Sequence, residues 1–199
     1  MIQKCGMFYN KQFNTLMVCM KNEKHNQIQT TKNLSILKKD GVIVGFNILD
    51  VEIKINKSFI TSTDTEIIEF VNKKINLECK LTLNNQFVIG QIDYCESIPQ
   101  THLNACKVNI GEGLNLNVVC GASNAREGIF VIVCLPGSWL PDGKLIVNGK
   151  LRGYESNGML CSAAELKLEG FNNNGIVELD SYYQNKVGFD FWRVNDEKN

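Results

Sequence analysis

Residues 114–137 read LNLNVVCGASNAREGIFVIVCLPG, and this stretch decides the fold. It contains two runs of β-forming residues, 114–122 and 129–137, and each run ends at glycine or proline. Runs of about five to eight β-formers bounded by such residues are typical of strands in a small barrel or sandwich. The stretch therefore predicts two strands of an all-β unit.

Runs of the same kind lie on both sides of this stretch. Residues 87–98 and 105–113 precede it, and residues 175–180 follow as a further strand. Residues 144–153 resemble a hairpin around Asn148 and Gly149, because Asn-Gly is a strong signal for a type I′ turn. Ser162 and Glu165 have the spacing of a capping box, which predicts that a helical turn starts at Ser162.

The first part of the chain combines strand and helix signals. Residues 14–21 predict a strand, and 38–51 predict a hairpin around an Asp-Gly turn. Residues 58–76 predict one amphipathic helix, with Thr63 or Asp64 as its cap. Its apolar residues at helical spacing are Ile67, Ile68, Phe70, Val71 and Ile75. The polar residues 82–86 mark the junction, so we predict an α+β chain with domains 1–85 and 86–199.

Composition excludes several classes of protein. Of the 199 residues, 44% are hydrophobic and 21% charged, which is typical of a packed globular core. There is no apolar run near the ~18 residues of a membrane span, and the N-terminus has no signal-peptide pattern. We therefore expect a cytoplasmic protein with no membrane partner.

The formal charge is zero overall but uneven along the chain. Residues 1–85 carry 12 lysines against eight acidic residues, and residues 86–199 carry nine basic against 13 acidic residues. Zero net charge gives no support for strong non-specific binding to nucleic acid. An anionic partner is expected to bind the first half or a local patch.

The eight cysteines include no CxxC pair. In a long chain without a signal peptide they are expected to be reduced, mostly buried thiols. The two histidines, His25 and His102, have no metal-ligand spacing around them, so we expect no metal site.

Catalytic and cofactor motifs fail on their spacing. Residues 137–144, GSWLPDGK, have five residues between the glycines and leucine after the lysine, unlike a phosphate-binding P-loop. Cys161 has no nearby histidine to act as a base. We therefore expect no catalytic residues, no cofactor and no enzyme activity.

The segment 150–166, KLRGYESNGMLCSAAEL, allows two interpretations. Lys150 and Arg152 precede a glycine-containing stretch that leads into the capped helix. Cations and free amides in that position can receive phosphate. Alternatively, the segment is a structural connection packed by Met159 and Leu160.

Several spaced motifs resemble one known module. CGA-x-N-x-R stands at 120–126, a PG…LP turn at 136–141 and K-x-RG-x-x-S-x-GM at 150–159. In this order they resemble the tRNA-binding OB-fold module of free bacterial tRNA-binding proteins, some methionyl-tRNA synthetases and the phenylalanyl-tRNA synthetase β subunit. With FYNK near its start and VGFNI at 44–48, the chain is identified as a member of the YtpR-type group.

The resemblance implies a small N-terminal α+β domain followed by a five-stranded OB-fold barrel. The barrel would bind tRNA or structured RNA by shape and backbone, without catalysis, through the loop 150–159. Lys150 and Arg152 would pair with phosphates. Tyr154 departs from the family pattern, which usually has a small aliphatic residue there, and it either stacks on a base or packs on the barrel rim. The RNA-binding candidates are Lys150, Arg152, Tyr154, Ser156, Asn157, Gly158, Met159, Asn124 and Arg126.

A second hypothesis is a protein-interaction module that has lost most RNA affinity. Its partner would be a synthetase-associated protein or a second copy, giving a homodimer. The acidic balance of the second half favours this reading. An apolar edge near Trp139 or in 188–192, GFDFW, is the expected contact.

Overall fold

The computed structural model describes residues 4–76 and 80–198. The chain divides into two compact units between Leu83 and Asn84.

The first unit contains the strands β1 (Gly6–Asn10), β2 (Thr15–Cys19), β3 (Gln27–Thr31), β4 (Leu34–Lys39) and β5 (Val42–Ile48). They form an antiparallel sheet in the order β1-β2-β5-β4-β3. Asp40 and Gly41 join β4 to β5 with φ of +49° and +82°, as a type I′ turn requires. The predicted strand at 14–21 and the predicted Asp-Gly hairpin are thus confirmed.

The helix of this unit, α1 (Thr65–Ile75), is shorter than the predicted segment 58–76. Residues 58–60 are extended instead, because they pair with β1 through Tyr9 N to Ser58 O at 2.8 Å and Ile60 N to Met7 O at 3.0 Å. Asp64 precedes the helix but gives it no side-chain cap. Its carboxylate accepts from the Thr61 amide at 2.7 Å and pairs with Lys57 at 2.9 Å.

The apolar face of α1 covers one side of the sheet. Ile67, Val71 and Ile75 are buried there, in one core cluster with Phe46 and Ile48 of β5. The helix ends at Asn76 in the left-handed region, with φ of +45°. This unit is mostly sheet, with one helix packed on it. The predicted α+β class is therefore confirmed only in part.

The second unit contains the strands β6 (Phe87–Ser97), β7 (Asn104–Asn109), β8 (Asn115–Cys120), β9 (Phe130–Cys134), β10 (Asn148–Leu151), β11 (Tyr154–Asn157) and β12 (Met159–Leu160). Five of them form an antiparallel sheet in the order β12-β9-β6-β7-β8, while β10 and β11 form a hairpin. The strands predicted at 87–98, 105–113, 114–122 and 129–137 correspond to β6, β7, β8 and β9.

The five-stranded sheet curls into a nearly closed barrel, consistent with an OB-like fold. Strand β6 pairs with β9 through residues 87–91 and with β7 through 91–97, and its register shifts between Ile92 and Tyr94. Such a bulge bends and twists a strand, so β6 can belong to both halves of the barrel. Alternate residues such as Ile92, Val108, Val118 and Val131 fill the interior.

The predicted turn at Asn148 and Gly149 is wrong, because both residues lie inside β10. Residues 138–146 close a turn of their own, with Ile146 N to Ser138 O at 2.9 Å and Leu140 N to Lys144 O at 2.8 Å. The segment before Asn148 is therefore unavailable as a hairpin strand. The hairpin forms further along the chain, from β10 and β11, with its turn at Arg152 and Gly153.

The predicted strand at 175–180 is also wrong, since only Leu179 forms a bridge, to Phe130 of β9. Val177 N donates to the main-chain oxygen of Cys161 at 2.9 Å, and the side-chain amides of Asn124 and Asn172 bond to Ile176 and Glu178. The capping box is confirmed: Ser162 N donates to Glu165 Oε2 at 2.8 Å, and Glu165 N to Ser162 Oγ at 3.3 Å. It starts the short helix α2 (Ala163–Leu166).

Two elements at the end of the unit were not predicted. They are a 3₁₀ helix (Ser181–Lys186) and the helix α3 (Phe191–Lys198). Ile89 N donates to Phe189 O at 3.0 Å and Gly188 N to Ile89 O at 2.8 Å, so residues 188–189 run beside β6.

The described cysteines are free thiols, and five of the seven are buried, as expected. Burial raises the pKa of Cys5 to about 12. The remaining cysteine, Cys79, lies outside the described residues. In the part of the chain that the structure describes, no helix has both the length and the apolarity to cross a membrane.

Candidate nucleic-acid interface

The hairpin of β10 and β11 presents the predicted cations. Arg152 and Gly153 occupy its two-residue turn with φ of +54° and +88°, the left-handed pair of a type I′ turn. Lys150 lies before the turn, directly opposite Glu155. Lys150 and Arg152 are both exposed, and neither forms an ion pair with a described residue. Both side chains are therefore available to phosphate groups.

The remaining residues of the segment 150–159 fix the hairpin to the barrel. Ser156 Oγ accepts a hydrogen bond from Val119 N of β8 at 3.1 Å. Gly158 has φ of +121°, and a Cβ at this position would lie 3.0 Å from Cys134 O. Met159 is half-buried and pairs with Cys134 of β9. Ser156, Gly158 and Met159 therefore orient the hairpin, while Asn157, half-buried, ends β11 opposite Asn148.

A row of directly opposed side chains crosses the barrel beside this hairpin. Tyr94 of β6 lies opposite Lys107 of β7, and Lys107 lies opposite Asn117 of β8. Asn117 Nδ2 donates to Glu155 Oε2 of β11 at 3.4 Å, which continues the row to the hairpin. Directly opposed residues in an antiparallel sheet point to the same face, so these side chains share one outer surface.

This surface contains an open groove of about 340 Å³, here called the tyrosine groove. Its lining includes Tyr94, Glu96, Lys107, Asn117, Tyr154 and Glu155. Tyr94 is 51% exposed and Tyr154 36% exposed. Exposed aromatic rings on an OB-like barrel are suited to stacking on bases. The groove therefore joins two aromatic rings with the cation of Lys107.

Sequence analysis missed Tyr94, Lys107 and Asn117. Each is an exposed residue of a barrel strand. Lys107 lies between the buried Cys106 and Val108, and Asn117 precedes the buried Val118. The alternation of polar and apolar residue types around Lys107 in β7 and Asn117 in β8 was the available signal, whereas β6 shows no such alternation around Tyr94.

Asn124 and Arg126 contact Ile176 and Glu178, which lie outside the hairpin. These four residues are here called the 124–178 cluster. Asn124 Nδ2 donates to Ile176 O at 2.8 Å and to Glu178 Oε1 at 3.0 Å, and Ile176 N donates to Asn124 Oδ1 at 3.0 Å. Arg126 donates to both carboxylate oxygens of Glu178, at 2.8 and 2.7 Å. The cluster ties the turn after β8 to the loop before Leu179.

The electrostatics of the 124–178 cluster are those of a bidentate ion pair. Hydrogen bonds from Arg126, and then from Asn124, lower the pKa of Glu178. The hydrogen bond to Glu178 likewise raises the pKa of Arg126. Because Asn124 and Arg126 both bind within the protein, the geometry favours a structural role for these two predicted RNA contacts.

Comparisons with known proteins agree with this geometry. The family described as “Putative tRNA binding domain” matches residues 87–186, which include the whole tyrosine groove and the hairpin. The chain belongs to this tRNA-binding family. The resemblance expected from the sequence motifs is thus confirmed for this part of the chain.

Two kinds of relative are similar to the chain. The “Uncharacterized protein MG449 homolog” of Mycoplasma pneumoniae is 36% identical over 168 residues, 78% of this chain and 70% of that protein. “Uncharacterized protein MG449” of Mycoplasma genitalium is 33% identical over 191 residues, 88% of this chain and 82% of that protein.

The third relative matches a smaller share of the chain. The “Phenylalanine--tRNA ligase beta subunit” of Streptococcus pneumoniae serotype 4 is 48% identical over 82 residues, 41% of this chain. That match spans 10% of the ligase subunit.

The groove of the tRNA-binding domain also holds carboxylates. Tyr94 OH donates to Glu96 Oε2 at 2.9 Å. That hydrogen bond, together with the negative charge of Glu96, raises the pKa of Tyr94. The hydrogen bond also fixes the orientation of the tyrosine hydroxyl toward Glu96.

The expected apolar edge of the tRNA-binding domain is only partly present. Trp139 is 5% exposed, so it packs in the interior and cannot form a contact surface. In 188–192, Phe191 is buried but Phe189 is 60% exposed. Phe189 and the exposed Leu114 border an open groove of about 480 Å³ lined by Val88, Ile110 and Leu135, among others.

Residues 4–76 and 80–198 contain no group of three or more His, Cys, Asp or Glu side chains suited to holding a metal ion.

Proposed function

We propose that the tRNA-binding domain binds tRNA non-catalytically, in the cytoplasm, through the tyrosine groove and the adjoining hairpin. One observation carries the proposal. Lys150 and Arg152 are exposed and form no ion pair with a described residue. They lie on a hairpin that hydrogen-bonds to strand β8 at the edge of the tyrosine groove, which contains two exposed tyrosines. The family match over residues 87–186 supports tRNA as the ligand.

The contacts divide by chemistry. Lys150, Arg152 and Lys107 pair with phosphates, which position the RNA without reading its sequence. Tyr94 and Tyr154 offer π-faces to unstacked bases, and stacking is tolerant of base identity. Recognition therefore depends mainly on the shape and backbone of the RNA.

The affinity follows from the small number of phosphate contacts. With three contacts, a slope of about −0.9 per contact predicts a loss of about 40-fold in affinity between ~50 and ~200 mM salt. If Lys150 and Arg152 lose their charge, one contact remains and the loss falls to about 3.5-fold.

The test is a titration of labelled tRNA at both salt concentrations. Lys150→Gln with Arg152→Gln should weaken binding at low salt and flatten the salt dependence as calculated. The control is the double variant Lys144→Gln with Lys186→Gln, which removes two positive charges outside the groove lining. Lys144 is exposed and Lys186 is half-exposed, and their replacement should change the tRNA affinity less than twofold. Absence of binding at low salt, or equal effects of the two double variants, would refute the proposal.

A second candidate is a protein-interaction module, with a synthetase-associated protein as the partner. The exposed Phe189 and Leu114 beside an apolar groove favour it. Pull-down from lysate with and without RNase separates the two functions. A protein that is retained after RNase treatment and lost in Phe189→Ser supports this candidate, whereas capture that depends on RNA supports tRNA binding.

A further inference from the structure

The two edge strands of the sheet in the first unit differ in whether another segment of the chain pairs with their outer side. At one edge, residues 58–60 pair with β1 through main-chain hydrogen bonds at Tyr9 and Ile60. At the other edge, β3 pairs with β4 on one side. Among residues 4–76, none hydrogen-bonds to the outer side of β3.

Strand β3 lacks the usual protection of an edge. Natural sheet edges are commonly guarded by charged residues, proline or a covering segment, because unpaired N–H and C=O groups attract another strand. The five residues of β3, QIQTT, contain no charge and no proline, and all five are exposed. Ile28, near its centre, is 58% exposed. This edge is therefore open to pairing with another strand.

The register identifies the groups that point outward. Lys32 and Asn33 connect β3 to β4, so Thr31 and Leu34 are the first pair of the hairpin. In a two-residue hairpin this pair exchanges hydrogen bonds, and bonded pairs then alternate along the strand. Ile28 and Thr30 consequently direct their N–H and C=O groups to the open edge.

We propose that β3 strands of two copies pair antiparallel about a two-fold axis at Gln29, forming a homodimer. Ile28 of one copy then exchanges main-chain hydrogen bonds with Thr30 of the second copy. By symmetry, Thr30 of the first copy does so with Ile28 of the second. The two Gln29 residues meet at the axis. A strand without charge can satisfy this symmetry, because no like charges of β3 itself are brought opposite one another. Beside the axis, Lys38 Nζ of β4 donates to Gln29 Oε1 at 3.2 Å.

Charge complementarity at the strand ends favours a second copy as the partner. The same register brings Asn26 level with Lys32 of the second copy, just beyond the ends of β3, where the Asn26 amide donates to Lys38 O of its own chain at 2.9 Å. Asn26 Nδ2 donates to Asp40 Oδ1 at 2.7 Å, and Asp40 N donates to Asn26 Oδ1 at 3.1 Å. Asp40, whose carboxylate also pairs with Lys39 at 3.5 Å, therefore lies beside the position of that lysine, and the symmetry repeats the contact at the other end.

Sedimentation velocity of the full chain, freed of RNA and studied from ~1 to ~200 µM, provides the first test, because dimerisation depends on concentration. Ile28→Pro removes an outward N–H, which edge strands tolerate, and should weaken the dimer at least tenfold. Ile28→Val should leave the dimer unchanged. Circular dichroism of each variant confirms its folding.

Cysteine cross-linking provides a second test, which does not depend on a substitution that could prevent folding. At the axis, the Cα atoms of a non-hydrogen-bonded pair lie about 4.5 Å apart, within disulfide range. Gln29→Cys should therefore form a covalent dimer under mild oxidation, above the level of the native cysteines. The matched variant Thr31→Cys should not, since its two copies are offset by four residues, about 13 Å.

Three outcomes would overturn the proposal: a monomer at every concentration, a dimer unaffected by Ile28→Pro, or equal cross-linking at positions 29 and 31. The first outcome would leave this edge to a strand from a different protein. None of the three bears on tRNA binding, which involves the other unit.

Discussion

The 124–178 cluster allows a quantitative test of whether Asn124 serves the fold or contacts RNA. Asn124→Ala removes the acceptor of the buried Ile176 amide and two hydrogen bonds donated by Nδ2. An orphaned buried N–H costs about 1–3 kcal/mol. Ile176 O keeps Asn172 Nδ2 at 2.8 Å, and Glu178 keeps Arg126, so the other two losses are small.

The expected total is about 2–4 kcal/mol of unfolding free energy, or roughly 8–16 °C in Tm at about 4 °C per kcal/mol. Thermal unfolding followed by circular dichroism measures the Tm. The tRNA affinity, measured at ~50 mM salt well below the Tm, should stay within twofold of the parent protein. Asn115→Ala, an exposed asparagine of β8, is the control and should cost less than about 0.5 kcal/mol.

The reasoning would be refuted by the opposite pattern. If Asn124→Ala leaves the Tm unchanged but weakens tRNA binding more than tenfold, Asn124 contacts the RNA and the cluster contributes little to stability.

Three further predictions concern single contacts. Gly175→Ala should destabilise at least as much as Asn124→Ala in urea unfolding, because Gly175 has φ of +74° and its Cβ would overlap Asn124 Oδ1; the double variant should cost less than the sum. The lowered pKa of Glu178 means that its carboxylate stabilises the fold above its ordinary pKa of 4.5, and that this contribution is lost as pH falls through the folded pKa. The difference in urea midpoint between the parent and Glu178→Gln should therefore be constant near neutral pH and shrink below about pH 4.5. Ser156→Ala should speed hydrogen exchange of the Val119 amide at least tenfold, because that amide loses its acceptor; unchanged exchange would show that Ser156 does not fix the hairpin.

Features that depend on neighbouring residues could be predicted from the sequence. The capping box of Ser162 and Glu165, the Asp40-Gly41 turn and the four main strands of the barrel are specified within a few residues. The turn at Asn148 and Gly149 was mispredicted because its alternative depends on pairing between residues 138 and 146. Local turn preference was thus overridden by a competing hydrogen-bond pattern nearby.

The candidate site could be predicted only where its residues lie in one segment. Lys150 and Arg152 belong to one motif, which identified them together, and Tyr154 was noticed because it lies between that motif's fixed residues. Tyr94 and Lys107 became part of the same surface through strand register, which single-sequence patterns do not specify. The role of Arg126 likewise depends on Glu178, a partner 52 residues later.

Net charge is a poor guide to the proposed RNA surface because the charges of the second unit are divided between ion pairs within the fold and exposed positions at the groove. Arg126 and Lys198 form ion pairs with Glu178 and Asp180, so these cations stabilise the fold. Lys107, Lys150 and Arg152 instead lie on or beside the tyrosine groove, facing the carboxylates Glu96 and Glu155. Exposed charges interact over about 8–10 Å at physiological salt, so a phosphate at the hairpin responds to this local excess of cations. The other carboxylates of the unit, among them Glu127 near Tyr94, oppose the approach of RNA. An acidic unit with a cationic rim is therefore expected to bind RNA weakly, at one place and in one orientation.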